Sequence, residues 1–459
     1  MNRIIGSCLL LCGSLLAKSQ ERPNIIFILT DDMGWKDVGC YGNKHTETPN
    51  IDSLARSGIL FTQSYAACPV SSPTRASIMT GKYPARLRLT NFIAGNRTDP
   101  ASPVLPAPWK PYLEAREVTI AELLRDAGYA TAMVGKWHLG SHDSIAPWNQ
   151  GFNYARMIGK NGLDYYNYSI FEDSYQKEFT DNGTYYLTDK LTDYSIEFLT
   201  QNKDKLFFLY LAYSAPHVVI VPRPDKLMKY FRKYGQAEEK FNPYYAAMVE
   251  SIDDGVGRIV KFLKDNGILE NTIVIFTSDN GGLGMDELGP TPTSNLPLRK
   301  WKGHVYEGGI RVPAIVSWQG KIKPGRVSDE YFISNDYFTT LCEIAGIKKL
   351  PGNIDGISLL PALFGIGSID AGRPLFWHYP HFSNQMGRPA GAVRLGDYKL
   401  VENYETGELE LYNLKEDISE SRNLSSSMKQ KTMELHELLV KWRKSVNASM
   451  PVPNPEFKK

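Results

Sequence analysis

Four clusters of polar residues follow directly on short apolar runs in this 459-residue chain, and their side-chain types define a chemistry. Asp31 and Asp32 end one run, Lys136 and His138 follow another, His217 a third, and Asp279 and Asn280 a fourth. In open α/β sheets ligands bind just beyond the carboxyl ends of the strands, so these positions are expected to converge. Three carboxylates and one amide supply only oxygen donors, the set taken by a hard divalent cation, Ca²⁺ or Mg²⁺, in preference to zinc. A single acidic pair would read as loop-starting residues that cap the next helix. Two pairs at strand ends read as a metal site with Asp31, Asp32, Asp279 and Asn280 as ligands.

A second cluster is the run Ser71, Ser72, Pro73, Thr74, Arg75, Ala76, Ser77, Ile78, Met79, Thr80, Gly81. Pro73 sits where a first helical turn tolerates a missing amide hydrogen, and Gly81 can close a short helix, so Ser71 falls just before a helix N-terminus. Such an end offers free amides and a positive dipole to an anion, and Arg75, one turn inside, can reach back to the same place. The alternative role for Ser71 or Ser72 is a plain N-cap.

The elements that must position these residues are legible as apolar periodicity. Residues 24–30, 130–134, 206–213, 272–277 and 312–318 read as buried parallel strands, and the amphipathic segments 119–126, 188–202 and 244–266 supply the crossovers. The fold expected is α/β, with a large, mostly parallel sheet flanked by helices. After about Gly372 the pattern changes to short alternating runs at 391–402 and 408–414, then a helix over about 428–446: a smaller antiparallel subdomain closed by a helix. The divisions are thus a leader over 1–19, a catalytic domain over 20–371, and a C-terminal subdomain over 372–459 that completes the substrate site.

At this point the residues meet a family. Ser71, Pro73, Arg75, Ala76, Ser77, Thr80 and Gly81 resemble the sulfatase signature, whose first position is a Cys or Ser oxidised after synthesis to formylglycine. The resemblance extends, in order, through Asp31 and Asp32, Gly135 to His138, Ala215 to His217, Ser278 to Gly281, Lys302 ahead of Glu307, Gly308 and Gly309, and Arg311 to Pro313. These ordered motifs at comparable spacings are together far more specific than any one of them. Cys68 lies three residues upstream of Ser71, but counting from it puts Val70 and Ser72 where the signature has Pro and Arg, so the register selects Ser71 and leaves Cys68 as a small buried residue. A Ser in this position resembles the bacterial class matured by an anaerobic radical enzyme, which would be a partner before export.

The resemblance also implies a mechanism. An unmodified Ser hydroxyl would form a sulfate ester that is hard to hydrolyse. In hydrated formylglycine one hydroxyl attacks sulfur, and deprotonation of the other expels sulfate and restores the aldehyde. The cation would polarise the sulfate, while Arg75, Lys136 and Lys302 offset negative charge. His217, with Lys302 close by, is expected to protonate the leaving alcohol, and His138 to deprotonate the hemiacetal. Two other readings remain open: a phosphoesterase on the same superfamily fold, against which Asn280 stands where a two-metal site usually has a histidine, and an exported glycan-binding protein whose Ser71 stays unmodified.

The substrate expected is a sulfated oligosaccharide, cut exo-fashion at a galactose- or N-acetylgalactosamine-type residue. The run from Phe376 to His381, with Asn384, Gln385 and Arg388, resembles the variable substrate loop of sulfatases from polysaccharide-degrading bacteria. His381, Asn384 and Arg388 are the candidates for sugar contact, while Trp377 and Tyr379 read equally as sugar platforms or as core. Location follows from the leader: Arg3, an apolar run to Ala17, and small residues at Ala17 and Ser19 read as a secretory signal cleaved before Gln20. Cys8 makes a passable lipoprotein box behind too short an apolar stretch, so lipid anchoring is the lesser reading beside a periplasmic protein. No later stretch approaches the ~18 continuous apolar residues of a membrane helix. The 52 basic and 50 acidic residues give a net charge of +2, which excludes the basic footprint of a nucleic-acid binder. Cys40, Cys68 and Cys342, the three cysteines left beyond the leader, form no disulfide framework.

Overall fold

The computed structural model describes residues 22–159, 164–235, 241–370 and 372–457; the leader over 1–19 lies outside them. In chain order the strands are β1 (Asn24–Thr30), β2 (Ile59–Tyr65), β3 (Val104–Leu105), β4 (Ala130–Gly135), β5 (Tyr154–Ile158), β6 (Asn167–Glu172), β7 (Glu178–Asn182) and β8 (Phe207–Ala212). They continue with β9 (Thr272–Ser278), β10 (Arg311–Ser317), β11 (Arg326–Ile333), β12 (Leu375–Tyr379), β13 (Ala390–Leu395), β14 (Tyr398–Asn403), β15 (Leu409–Asn413) and β16 (Val452–Pro453). Ten of them form one mixed sheet in the order β11-β2-β10-β9-β1-β8-β4-β5-β6-β7.

Its centre, β9-β1-β8-β4-β5, is parallel throughout. All seven residues of β1 are buried, as a strand covered on both faces requires. Side chains alternate across the sheet, so Ile25, Phe27 and Leu29 enter one core while Ile26 and Ile28 enter the other. The helices Leu187–Asn202 and Pro243–Asp265 cover the second face through residues such as Leu191, Phe198, Met248 and Ile252. Ile120–Asp126 and Asp336–Ile344 cover the first. The boundaries carry local signals: Thr119 and Glu122 close a capping box, and the Asn242 side chain accepts from the amides of Tyr244 and Tyr245. Because β9, β1, β8 and β4 are neighbours with one direction, the residues that follow them emerge side by side at one edge of the sheet.

Two expectations are corrected here. The run expected as a parallel strand at 312–318 is β10, and it pairs antiparallel with both β9 and β2. All seven of its residues are buried, and burial on both faces does not encode direction, so a central antiparallel strand carries the same apolar run. The segment read as a substrate loop around Phe376 to Tyr379 is instead β12, with every residue buried. Trp377 donates its indole N–H to the Ala66 carbonyl, which ties the strand to the large sheet's core.

The small sheet has the order β12-β13-β14-β15, all antiparallel, and the helix Lys429–Ser445 packs on it through Leu435, Leu439 and Trp442. The expected run at 391–402 is two strands folded about Gly396. After the helix, β16 pairs with β3 and returns the chain to the larger part. Among the described residues no helix is long and apolar enough to cross a membrane.

Candidate active site

The helix Ser71–Thr80 begins at Ser71 itself, after the extended Val70, and is buried along its whole length. Gly81 closes it at φ +69°, and a Cβ there would stand 2.8 Å from the Phe338 ring, so both backbone and packing require glycine. The helix thus aims its N-terminus at the carboxyl edge of β1 and β9. Ser71 Oγ lies 3.2 Å from Asp31 Oδ1 and 3.4 Å from Asn280 Oδ1.

Around it, Asp31, Asp32, Asp279 and Asn280 are all buried. Each carboxylate gives one oxygen to a cationic side chain and turns the other toward its neighbours. Asp31 Oδ2 accepts from Lys136, while Oδ1 faces Ser71. Asp32 Oδ2 accepts from Lys302 at 2.7 Å, and Oδ1 from the Asn280 amide at 2.7 Å. Asp279 Oδ2 accepts from Arg75 twice, and Oδ1 from the Asp32 backbone N–H at 3.2 Å. The donor chemistry therefore fits a hard cation: four oxygen-bearing side chains, three of them carboxylates, packed together out of water. Asp31, Asp32 and His217 also hold ligand atoms within 4.8 Å of one another, so a ring nitrogen adjoins the set that the sequence alone selects.

The charges sort themselves by environment. Burial alone would raise Asp31, but Lys136, with Arg75 and Lys302, holds its carboxyl far below the ordinary range. Asp279 is pushed up to about 6 by burial and by the Asp31 charge, against Arg75. Burial works against charged Lys302, yet Asp32 and Asp31 outweigh it and raise its affinity for the proton. His217 is lowered by burial and by Lys302, and so stays neutral. Its Nδ1 bonds to the Val218 carbonyl as a donor, which leaves Nε2 to accept from Lys302 at 3.1 Å. His138 is held well below its ordinary value by burial and by Lys136, and its buried Nδ1 has no hydrogen-bond partner among the described residues. Asp32 and His138 take φ of +62° and +59°, the left-handed region that costs a non-glycine residue energy and clusters at functional sites.

A cavity of ≈ 750 Å³ opens over this group. Asp31, Ser71, Lys136, His138, His217 and Lys302 lie in its lining, while Arg75, Asp32, Asp279 and Asn280 are behind it. The rest of the lining is largely apolar and includes Trp137, Phe171, Tyr175 and Leu288, with Glu287 and, from the C-terminal part, Asn384 and Gln385. Of the three residues expected at the sugar, the structure brings only Asn384 to the cavity. His381 is fully buried, with Nε2 2.8 Å from Thr90 Oγ1. Arg388 sits outside the lining and pairs with Asp99 and Glu405. The physical reasons differ: His381 lies in a run, 379–383, that is buried throughout, whereas Arg388 is exposed and held by two carboxylates, and residue type does not reveal either outcome.

A model of the sulfatase family matches residues 23–347, well over half the chain. The chain belongs to the sulfatase family. A second model, N-sulphoglucosamine sulphohydrolase C-terminal, matches residues 300–445. The sulfatase is 33% identical, over 93% of its length and 90% of the relative, to a sulfatase from Formosa agariphila. It is 36% identical, over 83% of its length and 72% of the relative, to the N-acetylgalactosamine-6-sulfatase of Canis lupus familiaris. Among solved structures it resembles Ps i-CgsB in complex with k-i-k-neocarrahexaose, at a TM-score of 0.78, 28% identity and coverage of 92% of this chain and 93% of that one. It also resembles BT4656 in complex with D-glucosamine-2-N,6-O-disulfate, at a TM-score of 0.72 and 26% identity, covering 93% of this chain and 98% of that one. The sulfatase is thus an enzyme of sulfuric ester hydrolysis.

Several residues of this sulfatase site escape sequence reasoning. Glu287 and Leu288 lie in a loop without periodicity, and Met157, Phe171 and Tyr175 come from or just after strands β5 and β6. Nothing in their spacing ties them to Ser71, because only the sheet order makes them neighbours. Glu307, in the motif that follows Lys302, is more informative: its carboxylate meets Lys399 of β14 at 2.9 Å and accepts from Tyr65 at 2.7 Å, so that motif anchors the small sheet to the large one.

Proposed function

We propose that this enzyme removes sulfate from a saccharide, acting at the chain end on a galactose- or N-acetylgalactosamine-type residue, with Ser71 oxidised to formylglycine. The observation that carries the reading is the position of Ser71 Oγ, at a helix N-terminus within 3.4 Å of both Asp31 and Asn280 and inside a cavity ringed by Lys136, His138, His217 and Lys302. The formylglycine, once hydrated, supplies a nucleophile and a route for expelling the sulfate it captures. Ca²⁺, or Mg²⁺ in its place, held by Asp31, Asp32, Asp279 and Asn280, would supply Lewis-acid polarisation of the sulfate.

The chain's own groups divide the remaining work. Arg75 is locked on Asp279 and fixes the helix against β9, which sets where residue 71 stands. Lys136, on Asp31 and at the cavity wall, offsets negative charge on the sulfate oxygens. Lys302 holds a proton between Asp32 and His217 Nε2, so the pair can deliver it to the departing alcohol. His138, neutral and with Nδ1 unpartnered among the described residues, is suited to take the proton of the second hydroxyl. Residues 20–371 carry this chemistry, and 372–459 complete the sugar side through Asn384 and Gln385. The saccharide reading draws on relatives named for N-acetylgalactosamine 6-sulfate and on neighbours solved with carbohydrate ligands. Maturation by an anaerobic radical-type enzyme before export to the periplasm completes the proposal.

The test is peptide mass across residue 71 combined with turnover. Matured protein should lack two hydrogens at residue 71 and should hydrolyse an aryl sulfate but not the matching aryl phosphate. Ser71→Ala should keep the fold and lose turnover, because a small side chain at the cavity floor carries little packing energy. Full activity of that variant, or an unmodified Ser71 in active protein, would overturn the mechanism.

A further inference from the structure

A second cavity, of ≈ 690 Å³, lies beside the one that contains Ser71, and the two share a lining residue, Leu288. Their walls also run on along the chain, with Val218 in the first and Val219 and Ile220 in the second. Each volume falls within the roughly 300–1,000 Å³ of a small-molecule site, so together they offer room for more than one ring. We propose that the second cavity is a saccharide subsite for a neutral, unsulfated ring adjoining the sulfated one, and that Tyr244 is its platform. The proposal rests on the saccharide sulfatase reading given above.

Three observations carry it. Apolar side chains that a folded protein would ordinarily cover are exposed together here: Leu288 is 63% exposed, Tyr244 44% and Val219 38%. The Tyr244 ring is held from one side by Phe231, edge to face with centroids 5.6 Å apart, so it is ordered without being covered. A fixed and exposed aromatic ring beside an active cavity suits the apolar face of a sugar, whose C–H groups lie against it at small entropic cost. The charge inventory then narrows the sugar. Among the described residues lining the second cavity, Asp286 is the only charged one. One of its oxygens already accepts from the Thr291 N–H and hydroxyl, at 2.7 and 2.6 Å. With a carboxylate and no cation among its described lining residues, the site disfavours a second sulfate or a uronate and has a hydrogen-bond acceptor for a ring hydroxyl.

The experiment compares three probes on the matured enzyme: p-nitrophenyl sulfate, N-acetylgalactosamine 6-sulfate as the free sugar, and the same sulfated residue linked to an unsulfated galactose. The unmodified enzyme should favour the disaccharide over the free sugar in kcat/KM, mainly through a lower KM. Tyr244→Ala should erase that preference, with a loss of about five- to tenfold on the disaccharide, the scale of one aromatic contact, and less than about twofold on the two smaller probes. Equal losses on all three probes, or an unmodified enzyme indifferent to the second ring, would overturn the subsite while leaving the sulfatase reading intact. Turnover of p-nitrophenyl phosphate with none of the sulfate esters would instead remove the sulfatase reading itself.

Discussion

Arg75 donates from both Nε and Nη2 to a single oxygen, Asp279 Oδ2, at 2.9 and 2.7 Å, and neither side chain is accessible to water. Its Nη1 goes to the Lys136 carbonyl at 2.9 Å, so one guanidinium joins the helix Ser71–Thr80 to the ends of β9 and β4. A planar fork suits three bonds to two fixed acceptor atoms better than a lysine's point charge would. Arg75→Met should therefore leave the Asp279 charge buried and unpaired, at a cost of about 3–5 kcal/mol in chemical denaturation. Arg75→Lys should recover part of that stability but little of the aryl sulfate turnover, because a single Nζ cannot reproduce the planar fork that spans Asp279 and the Lys136 carbonyl. Full turnover in the lysine variant would show that the alignment of Ser71 does not depend on this pair.

Removal of the cation should be visible in stability as well as in rate. Asp31, Asp32 and Asp279 are crowded and buried, and a bound cation that the unfolded chain does not hold stabilises the fold by mass action. At a hundredfold excess over Kd that is about 2.7 kcal/mol, so exhaustive chelation should lower Tm and activity together, and Ca²⁺ or Mg²⁺ should restore both. Elemental analysis checks the identity of the ion. An unchanged Tm after chelation, or stoichiometric zinc, would count against the oxygen-donor site.

How much of this was legible in the sequence follows from which physical signals are local. Asp31, Lys136, His217 and Asp279 could be found because an apolar run followed by a polar residue marks a strand's end, and their four strands proved adjacent. The direction of β10 could not be read, because its residues are buried on both faces either way. The hairpin of β6 and β7 and the edge strand β11 carry partly exposed, irregular patterns, and none of them stands out as a strand. The sugar side was least legible: Asn384 lines the cavity and His381 does not, although both are polar residues three positions apart in one connection.

The joint between the two sheets should give a titration on the alkaline side. Lys399 Nζ lies 2.9 Å from a carboxylate oxygen of Glu307 and 2.9 Å from one of Glu420, all three buried. Burial would raise Glu307, but Lys399 and Arg311 hold it down to about 2; burial and the Glu307 charge, only partly offset by Lys399, push Glu420 up to about 7. Glu420 in the fold thus lies above the 4.5 of its unfolded form, so its contribution is full below pH 4.5 and is lost as pH rises through about 7. Glu307 has the opposite sign, contributing above pH 4.5 and losing that contribution as pH falls toward about 2. Between pH 5 and 8 the unmodified protein should lose on the order of 2 kcal/mol that Glu420→Gln does not lose. Parallel stability curves for the two proteins would show that Glu420 does not carry the shared proton.

The last expectation separates the two polar residues of the connection after β12. His381 is fully buried against Thr90, and burial pushes its ring down to about 3, below the 6.5 of an unfolded histidine; His378, bonded to Tyr404 and the Ser449 carbonyl, is pushed down to about 4. Each contributes stability that is present above pH 6.5 and is lost as pH falls toward those values, because the unfolded chain takes up protons that the fold refuses. His381→Gln should therefore cost some stability at pH 7.5 through lost packing. From pH 7.5 to pH 5 it should lose about 2 kcal/mol less than the unmodified protein. Its effect on catalysis should be the same for a sulfated sugar and for an aryl sulfate, since the ring does not reach the cavity. Asn384→Ala should do the reverse: no change in the pH dependence of stability, and a loss of kcat/KM confined to the sugar, because its side chain lines the cavity without belonging to the charged group around Ser71. A sugar-specific defect in the His381 variant with normal acid stability would mean that this connection opens to bring His381 into the cavity when substrate binds.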